Sequence, residues 1–348
     1  MRGHVRPVGR LLLGACLPLV AVVALALPTV SAATTQEQPK NQPKASDAEF
    51  KEAHKVEAAT DAQERVQAAG AFLKKYPKSE LRPQVAQLVV AKIDDVTDPA
   101  QRLTLAENFR TVFDAPGEAD LINPILLSAY LKTNRADDAF ALAAKAADSL
   151  PNPVPILTAL SFAGYTQAQQ QNIKYLPQSI QYAGRAIELL ESDKKPANLD
   201  AATWGTYKTT LLPSLYQVQG FLLFAGGDAA GAKTKLTRAV ALNPADAMNY
   251  ALLGNIRNDE YQSLATQYKA ATGAAQSDLL KQAEAVLDQV IDDYAHAVAL
   301  AEGNARYQPL HDQLIQDLEA YYKYRHHGST DGLQALIAKY KQPAAVKP

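Results

Sequence analysis

Three spacings in this 348-residue chain could carry chemistry, and each falls short of what its chemistry needs. Gly226-Gly227-Asp228-Ala229-Ala230-Gly231-Ala232-Lys233-Thr234 approaches a phosphate-cradling loop. Such a loop needs Gly-Lys-Ser/Thr contiguous after a strand, so that backbone amides and the Lys ammonium converge on phosphate. Here Ala232 separates Gly231 from Lys233, and the preceding stretch, Leu215 to Phe224, has a helical pattern. Ser192-Asp193-Lys194-Lys195 fits Ser-x-x-Lys, a serine-nucleophile pattern. It stands in a polar loop, and neither Ser-Asp-Asn nor Lys-Thr-Gly occurs anywhere. His54, His296, His311, His326 and His327 form no His-Glu-x-x-His. Adjacent His326 and His327 would point to different sides of a helix. The pairs Asp292-Asp293 and Asp259-Glu260 read as solvated helix faces. No catalytic, metal or cofactor constellation is therefore expected, and the elements around these residues must supply the function.

The first segment reads as an address. Arg2, Arg6 and Arg10 precede an apolar run from Leu11 to Leu27, and small residues follow at Val30-Ser31-Ala32-Ala33. A charged head, an apolar middle and a small-residue cleavage site make a secretory signal peptide over 1–32, cut after Ala32. The 17-residue run is shorter than the ~20 residues that span a bilayer. Leu13-Gly14-Ala15-Cys16 resembles the lipobox of bacterial lipoproteins, so a lipid anchor on Cys16 is the alternative. Membrane association is expected only if Cys16 is lipidated or the leader stays uncleaved. Cys16 is the only cysteine, so cleavage after Ala32 leaves no disulfide. Residues 33–45, rich in Gln, Pro, Thr and Lys, read as a flexible linker. Ser46-Asp47-Ala48-Glu49 has the form of a capping box that opens a folded region over 46–342, with 343–348 as a tail.

Removing the three leader arginines leaves 32 basic against 36 acidic side chains. No long basic run appears, so nucleic acid is not an expected partner. Ala, Leu, Gln, Lys and Asp dominate, while Val and Ile rarely alternate with polar residues, which points to an all-α chain. Thr60-Asp61-Ala62-Gln63 opens a helix to Lys75, followed by one carrying Leu81, Val85, Leu88, Val89 and Ile93. Asp98-Pro99 is a cap followed by Pro at the first helical position. Asn134 is placed to cap the helix from Asp137 to Ala147. Pro213 should kink or end the helix around Trp204 and Tyr207. Beyond Tyr250 the helices lengthen, from Asp246 to about Ala271 and from Ser277 to about Glu302, as at a capping end.

Repetition is the strongest signal. Tyr216, Gly220, Leu223, Ala232, Leu236, Ala239 and Pro244 alternate large and small side chains at fixed intervals. Tyr250 and Gly254 restart the pattern 34 residues after Tyr216 and Gly220. Tyr130, Ala139, Ala143, Ala146 and Pro151 repeat the intervals from Leu223 to Pro244, with Leu127 where Gly220 would stand. This spacing resembles the tetratricopeptide (TPR) repeat, a helix–turn–helix unit of about 34 residues. The resemblance implies an α-solenoid of stacked antiparallel helix pairs, irregular here, with its clearest units at 120–153 and 213–254. It also explains Gly226 to Asp228 as an inter-helix turn.

Such stacks bind extended or helical peptides on the face of their first helices. On that basis Gln217, Phe221 and Phe224, with Met248, Asn255 and Asn258 on the next unit, are the expected partner-binding residues, alongside Ala251. The competing reading of Phe221 and Phe224 is core between units. The expected function is a non-catalytic scaffold or adaptor of the bacterial cell envelope, periplasmic or secreted, with a protein or peptide partner. The alternative is a small-ligand binder or an enzyme acting on envelope material, which would need acidic residues converging on the groove.

Overall fold

The computed structural model describes residues 44–341 apart from 116, 151, 193 and 198, and apart from the side chain of 148. The expected leader with Cys16, residues 33–43 of the expected linker, Pro151 and the expected tail lie outside the described residues. Among the described residues every regular element is a helix, and successive helices pack as adjacent pairs. They fall into two compact units, 44–163 and 164–341.

The first unit contains α1 Asp47–Ala58, α2 Ala62–Lys75, α3 Arg82–Asp94, α4 Pro99–Val112, α5 Asn123–Lys132 and α6 Ala136–Ala146. α7, Val154–Gln169, carries the boundary. The starts of these helices follow from local chemistry. Ser46 and Glu49 close the capping box, each satisfying a backbone amide that the first turn leaves free. Asp61, one residue later than Thr60, is the cap of α2, accepting from the Glu64 amide at 2.8 Å. Asp98 accepts from the Gln101 amide at 2.7 Å ahead of Pro99, as the sequence suggests. Asn134 does not cap. It takes a left-handed backbone (φ 58°) in the α5–α6 turn, a conformation Asn tolerates, and α6 starts after Arg135 without a side-chain cap.

α1 and α2 run antiparallel: Lys75 reaches Glu52 at 3.2 Å, while Arg65 at the other end donates to the Glu57 and Ala59 carbonyls. α3 then returns alongside α1. The Lys44 amide donates to Glu80 at 2.7 Å at the shared start, and α1 packs on α3 as α2 packs on α4. The core comprises Val66, Phe72, Val85, Val89 and Ile93, and the stacked rings of Phe109 and Phe113 at 4.4 Å.

The second unit contains α8 Leu176–Glu191, α9 Ala201–Ala225, α10 Ala229–Leu242, α11 Ala247–Ala270, α12 Gly273–Ala301, α13 Gln308–Arg325 and α14 Leu333–Lys341. α9 runs unbroken through Pro213. An internal proline costs about 3 kcal/mol, but Trp204, Tyr207 and Leu211 are buried ahead of it and Leu215 and Tyr216 behind it. Burial on both sides holds one helix together where the proline alone would end it.

The helices pair antiparallel. Tyr216 of α9 faces Lys235 of α10, and four residues on Gly220 lies against Ala232 and Leu236. A Cβ added at Gly220 would stand 2.7 Å from Leu236 Cγ. In the next pair a Cβ at Gly254 would stand 2.5 Å from the Tyr294 ring of α12. Both glycines are sites of close helix approach. Ala232, Leu236 and Ala239 are fully buried, and so are Ala139 and, nearly, Ala143 and Ala146 in the earlier copy. Leu223 is half-buried, and Pro244 is exposed in the α10–α11 turn.

Gly220→Leu is expected to lower unfolding stability by roughly 1–3 kcal/mol through overpacking. Urea titration of the parent and the variant checks this, and equal midpoints would contradict it.

Candidate functional site

Two places in the described residues combine shape with chemistry, one in each unit. The first is an open groove of about 250 Å³ between α1 and α3. Phe50, Ala53, His54 and Glu57 line one side, and Leu81, Gln84, Val85 and Leu88 the other. The local cause is periodicity: Phe50, Ala53, His54 and Glu57 share one helical face, and Leu81, Val85 and Leu88 another. The floor is apolar and Phe50 keeps 40% of its surface in solvent. His54 Nδ1 lies 3.1 Å from Glu57, placing a carboxylate and an imidazole side by side in a largely apolar slot that also carries Gln84. Such a groove can take bulky apolar side chains. Sequence reasoning recorded the α3 spacing but weighed His54 only as a metal ligand and passed over Phe50. The shared face of α1 was the missed signal.

The second place is a polar and aromatic seam along α11, α12, α13 and α14. Asp246 caps α11, accepting from the Met248 amide at 2.9 Å. Its carboxylate also accepts from Gln217 Nε2 of α9 at 3.1 Å and from the Tyr307 hydroxyl at 2.9 Å. Gln217 donates again to Asn249 at 2.8 Å. Further along, Tyr321 of α13 donates to Asn258 at 2.7 Å, and Tyr294 donates to Asn255 at 2.8 Å. Burial holds the Tyr294 phenol well above the ordinary tyrosine range and raises that of Tyr321, so both remain hydrogen-bond donors at neutral pH.

These contacts correct the expected binding face. Gln217, Phe221, Met248, Ala251 and Asn258 are buried, and Asn255 is half-buried with its carbonyl oxygen engaged by Tyr294. Phe221 packs edge-on against Tyr165 at 4.7 Å, which is the competing core reading. Phe224, like Asn255, stays half-exposed, and with the other four buried the six do not form an open groove. The polar members are spent on joining helices.

The acidic pair at 292–293 is also corrected. Asp292 is exposed and accepts a short hydrogen bond from the Tyr340 hydroxyl, but Asp293 is buried and paired with Arg257. Burial pushes the Asp293 carboxyl up to about 6, against the opposing pull of Arg257. Glu260 pairs with Lys233 at 2.6 Å.

A comparison with protein-family models and with curated proteins gives no match for this chain. Among the described residues no helix is long and apolar enough to cross a membrane.

Asp293 gives a signed pH dependence. Its folded value lies above the ordinary carboxylate value of 3.8, so the folded state holds the extra proton and gains stability as pH falls through about 6. Between pH 7.5 and 5 the parent should gain roughly 1–1.5 kcal/mol relative to Asp293→Asn. Urea unfolding at the two pH values checks this, and parallel pH profiles would contradict it.

Proposed function

We propose that this protein is a non-catalytic interaction scaffold, built as an irregular TPR-like α-solenoid, that binds a protein or peptide partner. The observation that carries the reading is the open apolar groove between α1 and α3. Those two helices are the first members of successive pairs and run side by side in the same direction, with α2 behind them. That is the arrangement in which stacked helix pairs present a continuous binding face. The in-phase small residues support the same reading, because Gly220 and Gly254 serve close approach within two successive pairs.

The binding face in this proposal therefore lies on α1 and α3, not on Phe221 and Asn255. A slot lined by Phe50, Leu81, Val85 and Leu88 suits a helical or extended segment that brings apolar anchors. The leader over 1–32 supports a place outside the cytoplasm, in the bacterial cell envelope or beyond it, by cleavage after Ala32 or by lipidation at Cys16.

A photo-crosslinking amino acid at Gln84, on the groove wall, tests this in living cells. A discrete set of protein adducts is expected, reduced roughly tenfold or more by Phe50→Glu, a loss of about 1.4 kcal/mol or more in binding. Phe50 is partly exposed, so the change should leave the melting temperature near that of the parent. Adducts unchanged by Phe50→Glu would contradict the groove as the site. Mass spectrometry of the native N-terminus decides between Ala33 and Cys16.

A further inference from the structure

The C-terminal helix α14 is attached differently from the helices before it. It has nine residues, too few to be stable alone in water. It buries only Leu333 and Ile337 fully, and the turn that leads to it passes through three left-handed residues, His327, Gly328 and Gly332. Its fastenings are few. Tyr322 donates to the Asp331 carbonyl at 2.7 Å just before the helix, Tyr340 donates to Asp292, and Lys341 pairs with Glu302.

One titratable side chain sits inside this junction. The imidazole of His296 on α12 is stacked between two rings: Tyr250 of α11 at 3.6 Å, inclined 27°, and Tyr340 of α14 at 4.1 Å, inclined 12°. Tyr340 thus rests on His296 with its ring and on Asp292, one turn earlier, with its hydroxyl. We propose that α14 is a proton-sensitive latch, docked over a neutral His296 and loosened when that imidazole takes up a proton.

The groups around the ring set the direction. From α14, Lys339 lies 3.9 Å from Asp292 and brings a positive charge to the junction, and Tyr340 stacks on the imidazole. From α11, Tyr250 stacks on the other face, while Arg257 is occupied by Asp293. α13 meets α12 about 200° further round, through Tyr321 on Tyr294 at 6.3 Å. On α12 itself, Asp292 favours the imidazolium, but it already accepts from Tyr340. Burial is the largest influence and pulls the His296 value below that of an ordinary histidine, with Lys339 acting the same way. Undocking α14 returns the ring to water and removes Lys339. The undocked state therefore binds the proton more readily. Docking is at full strength above the ordinary histidine value and is lost progressively as pH falls below it.

Asp293 works in the opposite sense, because its protonation favours the folded state, so acid should loosen α14 while the α11–α12 core tightens. This opposition makes the latch separable from general acid unfolding. Hydrogen exchange of the full chain between pH 8 and 5, corrected for intrinsic rates, reads both. Protection over 333–341 is expected to fall several-fold on acidification while protection over 290–301 holds or rises. His296→Phe keeps a ring between Tyr250 and Tyr340 without a proton to gain, and should flatten the fall over 333–341. Asp293→Asn should retain it. Unchanged or rising protection of α14 in the parent would overturn the proposal, as would the same fall in His296→Phe.

Discussion

The helix pairs of the second unit close on two positions, Gly220 and Gly254, where any added side chain would force its neighbour to shift. At Gly220 and at Gly254 the facing helix comes so near that even a methyl group would collide, with Leu236 in one case and with the Tyr294 ring in the other. Close approach lets large neighbours such as Leu236 and Tyr294 bury completely against backbone, which raises packing density where it stabilises most. The glycines carry the usual helical cost of about 1 kcal/mol each, and burial of those larger side chains offsets it.

Once the backbones are that close, polar groups between them must find partners. Asp246 meets that requirement for three helices at once, capping α11 while accepting from Gln217 and Tyr307. Asn249, Asn255 and Asn258 follow along α11 and are engaged in turn by Gln217, Tyr294 and Tyr321. Buried amides and phenols of this kind add little net energy per bond, but leaving one unpaired costs ~1–3 kcal/mol. Their effect is to fix register: a one-residue slip of α11 against α13 would break the bonds of Tyr307 and Tyr321 together. The chemistry that looked available for a ligand is consumed in holding the fold.

The sequence made the helices legible wherever local signals were strong. Ser46, Asp98 and the 34-residue interval between Gly220 and Gly254 placed starts and crossings, because caps and small residues act through their nearest neighbours. Of the kink or end expected at Pro213, the end does not occur, because burial of Trp204 and Tyr216 on either side outweighs the local penalty, which no local pattern reveals. Asn134 misled because Asn serves both as a cap and as a left-handed residue. The expected binding face was least legible. Helical spacing tells which residues share a face but not what covers that face, so Gln217 and Phe221 read as available, and only packing shows them buried. Asp293 was misjudged for the same reason, since a carboxylate beside another on a helix gives no hint that Arg257 lies across from it.

The bonds that complete α11 come from far along the chain. Tyr307 reaches Asp246 across 61 residues, and Tyr321 reaches Asn258 across 63. By contrast, α9, α10 and α11 meet one another through contacts near in sequence. The polar closure of α11 is therefore long-range, where its apolar pairing with α10 and α12 is between neighbours in sequence. Without the segment from Tyr307 onward, Asp246 and Asn258 would each lose a phenol donor that no nearer residue supplies.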